Sequence, residues 1–148
     1  MDNLYIEPMN DKTTKSVQEI SALSFPIPWS LQSIEKELTN KFARYVTLKM
    51  DDTVIGFGGM WVIFEEAHIT NIAIHPDYRK MGYSHIIVDS LESICKSEGV
   101  TAMTLEVRAS NIAAQKLYEN HGFKVEGVRK GYYEDNREDG LIMWKRDI

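Results

Sequence analysis

Between Ala67 and Val107 the spacing of the apolar residues changes period twice, and that change constrains the fold more than any other feature of the chain. Ala67-His68-Ile69-Thr70-Asn71-Ile72-Ala73-Ile74 reads as a strand that Pro76 ends. Ile86, Ile87, Leu91 and Ile94 then recur at helical spacing as far as Gly99, and Met103 to Val107 is strand again. A strand, a helix and a second strand in that order make a right-handed crossover with the two strands parallel.

The flanks complete the sheet. Leu4 to Glu7 is expected to be the first strand. Val17, Ile20, Ser21 and Ser24 share one helical stripe, and Leu31, Ile34 and Leu38 share another after Ser30, a good N-cap residue. Phe25-Pro26-Ile27-Pro28-Trp29 between them cannot be helical throughout, because each proline removes a backbone donor and restricts the residue before it. Tyr45 to Lys49 and Val54 to Ile63 read as a hairpin about Asp51-Asp52, with Gly56, Gly58 and Gly59 marking a bend or a close backbone approach. Ser110 is placed to cap a helix through Ala113, Ala114, Leu117 and Tyr118 that Gly122 ends, and strands follow near Phe123 to Val128 and Leu141 to Lys145. The outline is α+β, a mixed sheet flanked by helices. At 148 residues and 43% apolar, with no repeat or linker, residues 1–148 are expected to form one domain.

Composition removes several function classes. The single Cys95 leaves no internal disulfide, and it lies on the stripe of Ile87, Leu91 and Ile94, so it reads as packing rather than as an acyl-carrying nucleophile. His68, His75, His85 and His121 show no metal-ligand spacing, and no metal is expected. No apolar run reaches the roughly 18 residues needed to span a bilayer, and MDNLYIEPMN lacks the layout of a signal peptide. The expectation is a cytoplasmic protein with no membrane contact. A net charge of −5 works against nucleic acid and favours cationic partners.

Two segments carry candidate chemistry. Arg79-Lys80-Met81-Gly82-Tyr83-Ser84 joins a strand to a helix start, where unpaired N–H groups and roughly half a positive charge suit a diphosphate if Gly82 lets the backbone come close. Standing alone, the same loop is an ordinary basic turn. In the strand Thr101 to Arg108, alternation puts Met103, Leu105 and Val107 on one face and Thr104, Glu106 and Arg108 on the other. Glu106 is thus a charge in a segment suited to burial, which requires a cation such as Arg108 or a chemical role. Asn111 and Tyr118 lie two helical turns apart and share a side with Ala114, facing the end of that strand, although an aromatic beside Leu117 is also ordinary core.

Taken in order, Arg79-x-x-Gly82-x-Ser84 after a strand and Asn111-x-x-Ala114-x-x-Leu117-Tyr118-x-x-x-Gly122-Phe123 resemble the signature of the GNAT acetyltransferases. Phe25, Pro28-Trp29-Ser30, Asn71-Ile72-Ala73-Ile74, Leu105 to Asn111 and Tyr132-Tyr133 before Arg137-Glu138-Asp139 are similar to the ribosomal-protein-alanine N-acetyltransferases within it. The likeness covers nearly the whole chain. It departs at Ser84, where Gly or Ala is usual, at Tyr83, where a small aliphatic residue is common, and in a longer Phe25 to Ser30 segment.

The resemblance implies a GNAT-like fold whose two central parallel strands, about Ile69 to Ile74 and Thr101 to Arg108, splay apart to admit the pantetheine arm of acetyl-coenzyme A. It further implies that Ile72, Ala73 and Ile74 hold that arm through backbone bonds. Arg79, Lys80, Met81, Gly82, Tyr83, Ser84 and His85 would cradle the diphosphate, and Asn111 would reach the cofactor. Glu106 is then the base, Tyr118 the acid, and an N–H near Ile72 the oxyanion donor. Trp29, Tyr132 and Tyr133 are candidates for an acceptor pocket, with plain packing an equal reading. The implied acceptor is a protein N-terminus, in particular an alanine of a small-subunit ribosomal protein. Acetylation of a lysine, a polyamine or another small amine, and coenzyme A sensing without turnover, stay open.

Overall fold

The computed structural model describes residues 3–148. Seven strands and four α-helices alternate as β1 (Leu4–Pro8), α1 (Thr14–Ser24), α2 (Leu31–Glu37), β2 (Ala43–Met50), β3 (Thr53–Ile63), β4 (Glu66–Ile74), α3 (Tyr83–Ser97), β5 (Ala102–Arg108), α4 (Ile112–Asn120), β6 (Lys124–Arg129) and β7 (Gly140–Arg146). The strands form one sheet in the order β1-β2-β3-β4-β5-β7-β6. Every neighbouring pair is antiparallel except β4 with β5, the pair joined by the α3 crossover. No helix among the described residues is long and apolar enough to cross a membrane.

α3 buries Ile87, Leu91 and Cys95 of the expected stripe together with Val88, leaves Ile86 and Ile94 only partly buried, and packs on β2, β3 and β4. Each such aliphatic side chain contributes about 1.5–3 kcal/mol relative to leaving it exposed. The other face of the sheet is covered by α1 and α2, where Val17, Ile20 and Ile34 pack with Met9, Tyr45 and Phe57. Glycine at position 59 is dictated by close approach, since a Cβ there would stand 2.2 Å from the Tyr45 ring, and the strand bulges between Gly59 and Met60.

Helix starts follow the expected chemistry with one correction. Ser30 caps α2 by accepting from Ser33 N–H, as expected. α4 is capped by Asn111, whose side chain accepts from Ala114 N–H, and not by Ser110. Ser110 instead gives its N–H and hydroxyl to Glu138 Oε1, at 3.1 and 2.6 Å. Both residue types cap well, so the choice falls to the one whose neighbour leaves it free.

Candidate active site

The parallel pair that organises the sheet is short. β4 and β5 are in register only from Glu66 opposite Ala102 to His68 opposite Thr104, and beyond that point the strands part. His75 N–H donates to Ile55 O of β3 at 2.7 Å, so by strand alternation Ile72 and Ile74 turn their backbone groups the other way, into the gap, where Ile74 O is taken by Arg79 Nε and the others face no strand. Ala73, by the same alternation, is engaged with Phe57 of β3. Unpaired strand groups of this kind seek an outside partner.

The gap opens into a cleft with two connected lobes that share Ser24, Phe25, Ile72, Asn111, Ala114 and Tyr118. One lobe, about 570 Å³, is further lined by Ala73, Ile74, Arg79, Lys80, Gly82, Ser84 and His85. Lys80 and Gly82 both take left-handed backbone, at φ 66° and 79°, a conformation that costs glycine nothing. Gly82 caps α3 without a side chain, so the first N–H groups of the helix stay open. Arg79 lines this lobe while donating from Nε to Ile74 O at 2.8 Å and from Nη2 to Ser24 Oγ at 3.0 Å. Met81 and Tyr83 do not line it: Met81 is exposed, and Tyr83 packs against the main core.

The other lobe, about 380 Å³, is lined by the Phe25 to Trp29 loop, Glu106, Arg108, Tyr118 and Tyr133. The Glu106 side chain is 20% exposed, with Tyr132 Oη donating to Oε2 at 3.4 Å and His68 Nε2 and Arg129 Nη2 each at 3.7 Å. Arg108 is not its partner; that guanidinium pairs with Asp135 at 2.9 Å and Glu138 at 3.1 Å. Tyr118 is 7% exposed, its ring edge-on to Phe123 at 5.6 Å, and burial pushes its phenol well above the usual range. Its hydroxyl makes no hydrogen bond among the described residues, nor is it one of the sealed, unpartnered polar atoms, so it opens to the cleft. Asn111 spends Oδ1 on the α4 cap and keeps its amide N–H groups for the cleft it lines.

Phe25, Trp29, Tyr118 and Tyr133 wall this lobe, whereas Tyr132 does not line it and stands behind Tyr133. Trp29 lies tilted against Tyr45 and Trp61 at 6.5 and 6.4 Å, and Tyr132 meets Tyr133 edge-on at 5.1 Å. Arg108 stacks over Tyr133 at 4.1 Å. Glu138 anchors the same loop: hydrogen bonds from Ser110, then Asn136, hold its carboxyl down at about 2. Cys95 is fully buried, its thiol 3.6 Å from Met60 Sδ and pushed up to about 12 by burial, which leaves it inert.

A profile of the acetyltransferase (GNAT) family matches residues 14–123, from α1 through both lobes of the cleft. The chain belongs to this family. A Bacillus subtilis protein provisionally named as a ribosomal protein bS18-alanine N-acetyltransferase is 43% identical over 129 residues, 86% of this chain and 85% of its own length. The crystal structure of the Escherichia coli ribosomal-protein-S18-alanine N-acetyltransferase superposes with a TM-score of 0.91 at 29% identity, covering 98% of this chain and 94% of that one. Arabidopsis thaliana NAA60 in complex with acetyl-CoA shares the fold at a TM-score of 0.87 and 15% identity, covering 97% of this chain and 98% of its own.

In this GNAT acetyltransferase the fold draws together residues that sequence spacing singled out, Glu106, Asn111 and Tyr118, with Ile72 across the gap. It also recruits residues that spacing did not suggest. Ser24 and Phe25 wall both lobes, while Arg129 and His68 flank Glu106. His68 and Arg129 lie on strands remote in sequence from Glu106, so no local pattern links them to it.

Proposed function

We propose that this acetyltransferase moves the acetyl group of acetyl-coenzyme A to the N-terminal amine of a protein, with Glu106 as base and Tyr118 as acid. The acceptor favoured by likeness to the bS18-alanine enzymes is an N-terminal alanine of a ribosomal protein. The observation that carries the reading is that Glu106 and Tyr118 line one lobe where the parallel strands part, beside a second lobe built on an open helix start. The residues fit the coenzyme: the outward backbone groups of Ile72 and the N–H of Ile74 suit an amide-rich arm, and the Gly82 turn suits a diphosphate.

The coenzyme supplies a thioester, which an uncharged amine can attack. An N-terminal amine has a pKa of about 7.7–8.0 and is largely protonated at pH 7. Glu106 therefore takes a proton, directly or through water, from a cation that its carboxylate also attracts. Ile72 N–H, fixed by its strand and turned into the gap, donates to the oxygen on which charge develops. Tyr118, held protonated by burial, donates to the departing sulfur. Trp29 and Tyr133 bound the acceptor side.

Mass spectrometry of acetyl transfer to short peptides tests this, comparing a free N-terminal alanine with a blocked terminus carrying lysine. Modification of the free terminus alone is expected. Modification of lysine, or of neither peptide despite coenzyme binding, refutes the acceptor assignment.

A further inference from the structure

The fold assembles a chain of three side chains that ends in the Arg79-lined lobe. His85, in the first turn of α3, lines that lobe together with Arg79, Lys80, Ser84 and Lys116. Its Nδ1 lies 2.8 Å from His121 Nε2, with ring centroids 5.0 Å apart and ring planes inclined by 29°, so the two rings meet edge to edge. His121 follows α4, and its Nδ1 lies 3.4 Å from Asp89 Oδ1.

Such a contact between ring nitrogens holds one proton, because two would collide and none would set lone pair against lone pair. The Asp89 carboxylate favours a proton on His121 Nδ1, which leaves His121 Nε2 bare to accept from His85 Nδ1–H. Burial, with repulsion from His85 and Lys145, keeps His121 below the ordinary imidazole value against the pull of Asp89 and Glu92. His121 thus stays neutral, and any added proton has a single nitrogen left, His85 Nε2, which has no hydrogen-bond partner among the described residues.

We propose that His121 is a positioning residue for coenzyme binding: by accepting from His85 Nδ1 it commits His85 Nε2 to carry the added proton and donate it to the phosphate oxygens at the start of α3. This rests on the coenzyme reading of the cleft given above. The other charges facing the pair are Asp89 and Glu92 from α3, Lys145 from β7, Arg79 and Lys80 from the loop, and Lys116 from α4. Carboxylates, lysines and arginines ordinarily keep their charge between about pH 5.5 and 8.5, so a change of affinity in that window belongs to the imidazoles. The ligand atoms of Asp89, Glu92 and His121 also lie within 4.8 Å of one another, but Glu92 is already paired with the Lys145 ammonium, which sets a fixed positive charge where a metal would have to sit.

Calorimetric titration with dephospho-coenzyme A is the test, since its diphosphate keeps a constant charge across this range. For the unaltered protein the Kd is expected to rise about tenfold from pH 5.5 to 8.5, with net proton uptake on binding measured in buffers of different ionisation enthalpy. His85→Gln is expected to flatten that rise to less than about twofold. His121→Phe, which keeps an aromatic ring at this place without an acceptor nitrogen, is expected to cut it to about threefold or less. A tenfold rise that survives in either variant, or a flat profile in the unaltered protein, overturns the proposal. Absence of binding at every pH overturns the coenzyme reading and this proposal with it.

Discussion

Tyr118→Phe separates the chemistry of the cleft from its packing. The ring is core, 7% exposed and edge-on to Phe123, while the hydroxyl has no hydrogen-bond partner among the described residues. Phenylalanine keeps every ring contact and removes only the group assigned as acid. Loss of a positioned general acid costs about 10²–10⁴ in rate, or about 2.7–5.4 kcal/mol of barrier at ~1.36 kcal/mol per decade. Steady-state acetyl transfer is therefore expected to show kcat lowered by that factor, with KM for acetyl-coenzyme A little changed and Tm within about 2 °C of the parent. Tyr118→Ala is the contrast: deleting a buried aromatic costs about 3–5 kcal/mol, and at ~2–4 °C per kcal/mol for a chain of this size Tm should fall by about 6–20 °C. A Phe variant that keeps kcat within about threefold of the parent, or loses activity only in step with Tm, refutes the acid assignment.

Glu106→Gln is expected to lower kcat/KM about 10²- to 10⁴-fold, with the largest deficit at low pH where the amine is most protonated; an unchanged pH profile in transfer assays counts against a base at this position. Gly59→Ala must push aside a Tyr45 ring 2.2 Å from the new methyl, a ring whose hydroxyl pairs with Thr70 at 2.8 Å. Overpacking of that kind costs about 1–3 kcal/mol, readable as a lower urea midpoint. Glu138 has its carboxyl depressed to about 2, so the stability it contributes is present above about pH 4.5 and is lost as pH falls toward about 2. Glu138→Gln should accordingly be less stable than the parent above pH 4.5, with the gap closing as the pH drops; a gap that stays constant through a denaturation series excludes this linkage.

The crossover was readable because its signals are local. Strand alternation, the helical spacing of Ile87 and Leu91, and the stops at Pro76 and Gly99 each lie within one element, and their order dictates the parallel pair. The seven-residue interval from Asn111 to Tyr118 placed both on the cleft side for the same reason. Partners reached across the sheet were not readable. Glu106 and Arg108 share a strand face, yet Arg108 is taken by Asp135 and Glu138 on a loop about thirty residues away. The choice of Asn111 over Ser110 as cap depends on Glu138 as well, which reaches Ser110 only once β5 and β7 have paired. His85 and His121 meet because the start of α3 and the end of α4 come together, a fact that the spacing of histidines along the chain does not encode.

One guanidinium joins the two ends of the cleft. Arg79 stands in the loop before α3, yet its Nη2 holds Ser24 Oγ, the last residue of α1 and the anchor from which the Phe25 to Trp29 wall departs. A ligand phosphate that competes for Arg79 acts on the footing of the acceptor wall, and an acceptor that shifts the wall acts on Arg79. On the proposed reading the two substrates are not thermodynamically independent, and whatever factor one imposes on the affinity of the other is returned in equal measure.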